Sequence, residues 1–216
     1  MRRNSRPVQR RQPEFNPVKK ESALEGMELG KTIYVRDRAS WRAWLAKNHR
    51  TKEDVWLIYY RKATGRPRIP YNHAVEEALC YGWIDSIIKR VDNRRFAQRF
   101  SVRRKTSQLS QPNRERVRQL IARGRMTRAG LAALAHVFDP TNDKPDRFTI
   151  APDIIMRIKK NKAAWRNFQS LPARYRRIRI AYIEDRRGQG PDGFRDSLAH
   201  FIKMTAQNKR FGLIRE

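Results

Sequence analysis

Trp41, Trp44 and Leu45 recur at i, i+3 and i+4 behind Ser40, a spacing that predicts an amphipathic helix capped by that serine. Ahead of it KTIYV (Lys31 to Val35) reads as a short strand, and order is expected from about Leu29. VWLIYYRK (Val55 to Lys62), rich in β-branched and aromatic residues, reads as a buried strand, and ATGRPRIP then interrupts the pattern with glycine and two prolines. Asn72 is placed to cap a second helix, on which Ala74, Val75, Ala78 and Leu79 form an apolar stripe and after which Gly82 permits a left-handed stop. From Trp83 the period changes toward two. WIDSIIKRV and RFAQRFSV bracket a turn at Asp92-Asn93, predicting a hairpin. In its second strand Phe96, Gln98, Phe100 and Val102 share one face, while Arg95, Arg99 and Arg103 share the other.

Asn113 is placed to cap a short helix whose Val117, Leu120 and Ile121 face inward and which Gly124 ends. Thr127 caps another, with Leu131, Leu134, Ala135 and Phe138 in register. DPTNDKPD (Asp139 to Asp146) is polar and proline-bearing and marks a boundary. Beyond it three more amphipathic helices are expected, carried by Ile154 to Phe168, by Ile178 to Ile183, and by Phe194 to Ile202. The expected class is α+β: a small sheet or hairpin packed with helices, followed by a C-terminal helical domain. The partition is a basic arm at 1–28, an α+β domain at 29–138, a linker at 139–150 and three helices at 151–216.

Charge changes this picture most. Fifty Lys and Arg against 21 Asp and Glu leave a formal net charge of +29. So large an imbalance costs self-repulsion in the compact state and directs attention to a polyanionic partner. The first 20 residues alone carry seven basic residues and one acid, the composition of a disordered arm that reaches into nucleic acid. Between Lys89 and Arg128 there are fourteen basic residues and two acids, Asp92 and Glu115. There arginines interleave with aromatics in RRFAQRFSVRRKTS, which suits phosphate contact and base stacking. The expected nucleic-acid-binding residues are Arg95, Arg99, Arg103, Arg104, Lys105, Arg114, Arg118, Arg123, Arg125 and Arg128. No zinc finger, RNP motif or GXXG loop accompanies them.

One cysteine excludes an intramolecular disulfide framework, and no run of 18 apolar residues spans a bilayer. A cytoplasmic setting is expected, or an organelle matrix should the Arg-rich N-terminus act in targeting. His73, Glu76, Glu77 and Cys80 fall on one helical face. Cys80 and His73 on that face, with Asp85 in the aromatic, apolar segment just after the helix, are the candidates for catalysis, set against a plainer reading in which Cys80 is a small buried residue and Asp85 makes a structural ion pair. No metal or cofactor is implied, and the chain lacks GxGxxG, Walker A, GxSxG and HExxH signatures.

SWRAWLAKNH, VWLIYYRK, YNHAVEEALCYGWIDSIIKRVD, FAQRFSVRRKTSQLSQPN and LIARGRMTRAGLAAL occur in an order that resembles the bacteriocin-protection, YdeI/OmpD-associated family. The tail APDIIMRIKKNKAAWRNFQSLPARYRRIRIAYIEDRR is similar to that family's helical C-terminal part. The resemblance runs from residue 31 to about 212 and is strongest in the first half. Val102 stands where the family usually has proline, and Leu109 where tryptophan is usual. The resemblance implies the fold and an association with bacteriocin tolerance, and no reaction. A non-enzymatic binder of nucleic acid, RNA before DNA, is the first expectation. An envelope-protection protein meeting anionic lipid or a membrane protein, and an enzyme with a pocket near Cys80 and Asp85, are the alternatives.

Overall fold

The computed structural model describes residues 28–212 and 214, so the expected basic arm at 1–28 lies almost wholly outside the described residues. Strands β1 (Thr32–Tyr34), β2 (Asp54–Tyr60), β3 (Trp83–Arg90) and β4 (Arg95–Val102) form one sheet in the order β1-β2-β4-β3. β1 runs parallel to β2, and the other pairings are antiparallel. Helices α1 (Arg38–Asn48), α2 (Tyr71–Cys80), α3 (Gln111–Ala122) and α4 (Arg128–Leu134) pack with it. Helices α5 (Pro152–Lys159), α6 (Lys162–Ser170), α7 (Ala173–Arg187) and α8 (Pro191–Ala206) follow. The protein is α+β, with the strands confined to its N-terminal part.

Two large apolar cores result, with a smaller cluster of Trp56, Ile58 and Ala97 on the other face of the sheet. The first joins Trp41 and Leu45 of α1, Leu57 and Tyr59 of β2, Leu79 of α2, Phe100 of β4 and Leu120 of α3. The second joins Ile154, Phe168, Tyr175, Ile183, Leu198 and Phe201 of the four C-terminal helices. Burial of each large side chain contributes on the order of 2 kcal/mol, so both clusters are substantial sources of stability. α3 and α7 bring the two together.

Several caps differ from the sequence reading. Asp37, not Ser40, caps α1, accepting the Ser40 N–H at 2.8 Å. An aspartate three residues earlier supplies the same acceptor with a full charge. Pro70 precedes α2, so Asn72 lies inside its first turn. Likewise α3 starts after Ser110, and Asn113 is a buried helical residue. The helix expected over Ile154 to Phe168 is two, because Asn161 leaves helical geometry and caps α6 through the Ala164 N–H. The hairpin turn, the Thr127 cap and the left-handed Gly82 and Gly124 are all as expected.

β3 carries an irregularity between Asp85 and Ile88. Before it, Trp83 belongs to the helix-covered face, and Asp85 bonds Tyr71 of α2. Within it, Ile87 packs against Trp56, Ile58 and Ala97 on the opposite face. A bulge of this kind re-aims side chains, and here it leaves Asp85 at the end of the sheet nearest α3 and α7.

Candidate functional site

The face of α2 that gathers His73, Glu76, Glu77 and Cys80 is a structural hub. Glu77 is fully buried and accepts from three guanidiniums: Arg38 at 2.5 Å, Arg42 at 2.6 Å and Arg125 at 2.6 Å. Burial alone would raise its pKa; the hydrogen bonds from Arg42, Arg38 and Arg125 outweigh that and hold the carboxyl below the usual range. Glu76 takes a second bond from Arg38. Cys80 is fully buried, and burial first, then the Glu77 charge, pushes its thiol up to about 11. A thiol so placed is a poor nucleophile. Neither Cys80 nor His73 faces the large cleft of this protein, whereas Asp85 does.

A second hub forms on α3. Glu115 accepts from Arg118 at 2.5 Å, from Gln111 at 2.8 Å, and from Arg177 of α7 at 2.5 and 3.0 Å. Asp143, in the segment between the two cores, accepts from Arg118 at 2.5 and 2.9 Å and is paired with Arg114 at 3.5 Å.

These hubs redistribute the ten cations expected to meet phosphate. Arg114, Arg118 and Arg125 are held by Asp143, Glu115 and Glu77. Arg95 pairs with Asp92 at 2.7 Å and Arg99 with Asp54. Arg103 is buried, with 5% exposure, and donates to the Ser107 and Gln108 carbonyls, while Val102 is the exposed neighbour. The strand ends at Val102, which breaks the alternation that would have placed Arg103 outside. Arg104, Lys105, Arg123 and Arg128 remain exposed, and no carboxylate among the described residues pairs with them. Arg104 and Lys105 lie in the loop that His136, just beyond α4, touches through the Ser107 carbonyl at 3.1 Å; Arg128 opens α4 itself.

A cleft of about 800 Å³ lies between the two cores. One wall comes from Tyr71, Ile84, Asp85 and the start of α3; the other comes from α7, α8, Phe211, Gly212 and Ile214. Asp85 Oδ2 accepts from the Tyr71 hydroxyl at 2.9 Å and from Gln98 Nε2 at 3.0 Å. Burial, and secondly the Asp85 charge, drive the Tyr71 pKa upward, so the phenol stays a donor. Arg116 enters the same wall with 5% exposure, donating to Asn113 Oδ1 at 2.7 Å and Asn72 Oδ1 at 2.9 Å. Burial lowers its pKa, against the opposing pull of Tyr71, Asp85 and Glu76. Arg179 on the facing wall is likewise lowered by burial, and lies over the Phe211, Tyr175 and Tyr182 rings.

Arg116 and Arg179 were missed as site residues. A signal existed for Arg116: with Asn113, Val117 and Leu120 it stands at i, i+3, i+4 and i+7 of α3, on the inward stripe. Among the described residues no group of three or more His, Cys, Asp or Glu is arranged to hold a metal ion. No helix among them is long and apolar enough to cross a membrane.

Comparison with known families divides the chain along the same line as its two cores. Residues 147–208 match the family described as bacteriocin-protection, YdeI or OmpD-associated. Residues 33–133 match a domain of unknown function (DUF8412). The family resemblance read from the sequence is therefore found in the C-terminal helices, while the motifs quoted from the first half fall in a segment matching a different description. Neither a curated protein nor a solved structure matches the chain.

Proposed function

We propose that this is a non-enzymatic binding protein that meets the phosphates of a nucleic acid, structured RNA in the first place, through its exposed cations. One observation carries the reading. Asp54, Glu77, Glu115 and Asp143 are drawn into internal pairs with Arg38, Arg42, Arg99, Arg114, Arg118 and Arg125, yet Arg104, Lys105, Arg123 and Arg128 stay exposed without a carboxylate among the described residues. Even one-to-one pairing of every acid in the chain leaves an excess of +29. Those cations sit on a loop and at helix ends, a disposition suited to phosphate contact on a folded RNA rather than to reading bases from a groove.

The test is a titration of a labelled RNA hairpin by fluorescence anisotropy across salt. Binding at ~50 mM salt should weaken steeply, with a log-log slope near the number of phosphates neutralised. Replacing Arg104, Lys105, Arg123 and Arg128 together by Gln should flatten that slope. A salt-independent response, or no binding at the lowest salt, removes the proposal.

A second reading is favoured by the C-terminal family match: protection of the envelope through an anionic membrane or a membrane protein. Co-sedimentation with liposomes, with and without anionic lipid, separates the two. Binding to anionic liposomes with none to RNA selects the second.

A further inference from the structure

The cleft between the two cores carries an inference independent of the nucleic-acid reading. Its walls are mostly apolar, with Ile84 on one side and Ile178, Ile183 and Phe201 on the other. Arg116 and Arg179 both line this surround, and the Nε of each, like buried guanidinium nitrogens of Arg38, Arg103 and Arg125 elsewhere, has no acceptor among the described residues. A buried donor left without an acceptor costs about 1–3 kcal/mol, more when charged, so a ligand that supplied an acceptor here would recover that cost.

Three further features point to the sign of the ligand. The N-terminus of α3, a helix of 12 residues, opens at the cleft through Ser110, Pro112 and Asn113, and no side chain caps it. Its first-turn amides and the helix dipole favour an anion. Next, Asp85 acts on both Arg103 and Arg116, and the other carboxylate acting on Arg116, Glu76, is already paired with Arg38. Asp85 is also already engaged with Tyr71 and Gln98. Last, Asp196 at the rim is exposed and paired with Arg195 at 3.6 Å, which leaves the interior cationic.

We infer that this cleft binds a small organic anion, a carboxylate or phosphate head carried on an apolar body, with the head at Arg116, Arg179 and the α3 N-terminus and the body against the isoleucines of α7. The volume of about 800 Å³ accommodates a ligand of drug-like size, and a junction between two packed units is where such sites commonly form. The two halves match different family descriptions, so the cleft belongs to their combination.

The experiment is isothermal titration calorimetry on the full chain with three probes: 1-naphthoate, its neutral amide 1-naphthamide, and inorganic phosphate. Naphthoate should bind saturably at one site and at least about tenfold more tightly than the amide, the difference one charge-assisted hydrogen bond makes. Inorganic phosphate, which lacks the apolar body, should bind more weakly than naphthoate; if it binds as tightly, the apolar part of the proposal is wrong. Arg179→Gln, at a half-buried position, should weaken naphthoate about tenfold, as should Arg116→Gln where that variant folds. Arg104→Gln should leave naphthoate affinity unchanged while weakening RNA binding, so failure of either proposal is read separately. Equal affinity for naphthoate and naphthamide, no saturable binding, or naphthoate binding lost in Arg104→Gln and kept in Arg179→Gln would each overturn the assignment.

Discussion

Arg177 of α7 and Glu115 of α3, 62 residues apart in sequence, are joined by two hydrogen bonds of 2.5 and 3.0 Å that tie the C-terminal helices to the first core. The Glu115 side chain is only 3% exposed and is shared with Arg118. Removing one partner of such a buried pair leaves charge uncompensated and costs about 3 kcal/mol or more. Glu115→Gln should therefore lower the urea midpoint by that equivalent without changing m, and Arg177→Met should lower it less, because Arg118 and Gln111 still serve the carboxylate. A Glu115→Gln curve superimposable on wild type contradicts the clamp.

Glu77 makes stability depend on acid. Its folded pKa lies below the ordinary glutamate value of 4.5, so the stabilisation it confers is full above 4.5 and is lost as pH falls through the folded value. Asp143, lowered first by its hydrogen bond from Arg118, adds to the same fall below 3.8. Thermal unfolding followed from neutral to acid pH should show a declining Tm below about 4.5. Glu77→Gln should be less stable at neutral pH and converge with wild type in acid. Parallel curves at all pH values would exclude Glu77 as the titrating group.

Gly130 seats α4 on the end of α2. A Cβ there would meet the Cys80 carbonyl oxygen at 2.3 Å and its carbon at 2.7 Å, both backbone atoms. In an exposed helix Gly→Ala gains up to about 1 kcal/mol. Here Gly130→Ala should instead destabilise by about 3 kcal/mol, since the overlap is relieved only by moving α4. A neutral or stabilising result in a denaturant titration would show that the helix has room to shift.

Cys80 should be silent in the native state. With its thiol raised to about 11 and its side chain buried, it should react with a disulfide reagent at pH ~8 at least 100-fold more slowly than after unfolding. Stoichiometric labelling of folded protein within minutes would reopen a catalytic role.

Much of the fold was legible because its determinants are local. Thr127 carries its own cap acceptor, Gly82 and Gly124 take the left-handed turns a glycine permits, and Asp92 closes the hairpin by accepting the Arg94 and Arg95 amides. Where two capping residues competed, as with Asp37 and Ser40, spacing could not choose between them. The site was less legible for a different reason. A count of arginines along the chain says nothing of which carboxylate each will find, and Arg125 finds Glu77 across 48 residues. The cleft likewise needs Arg116 and Arg179 from separate cores, a juxtaposition that no periodicity in either half encodes.

The segment between the cores is stitched to α3 by the bonds of Asp143 to Arg114 and Arg118, and α7 is fastened to the same helix by Arg177. Covalent continuity is therefore redundant with side-chain contact along this seam. A chain nicked by protease within residues 139–142 would still hold its two parts together, and with them the cleft that neither part forms alone.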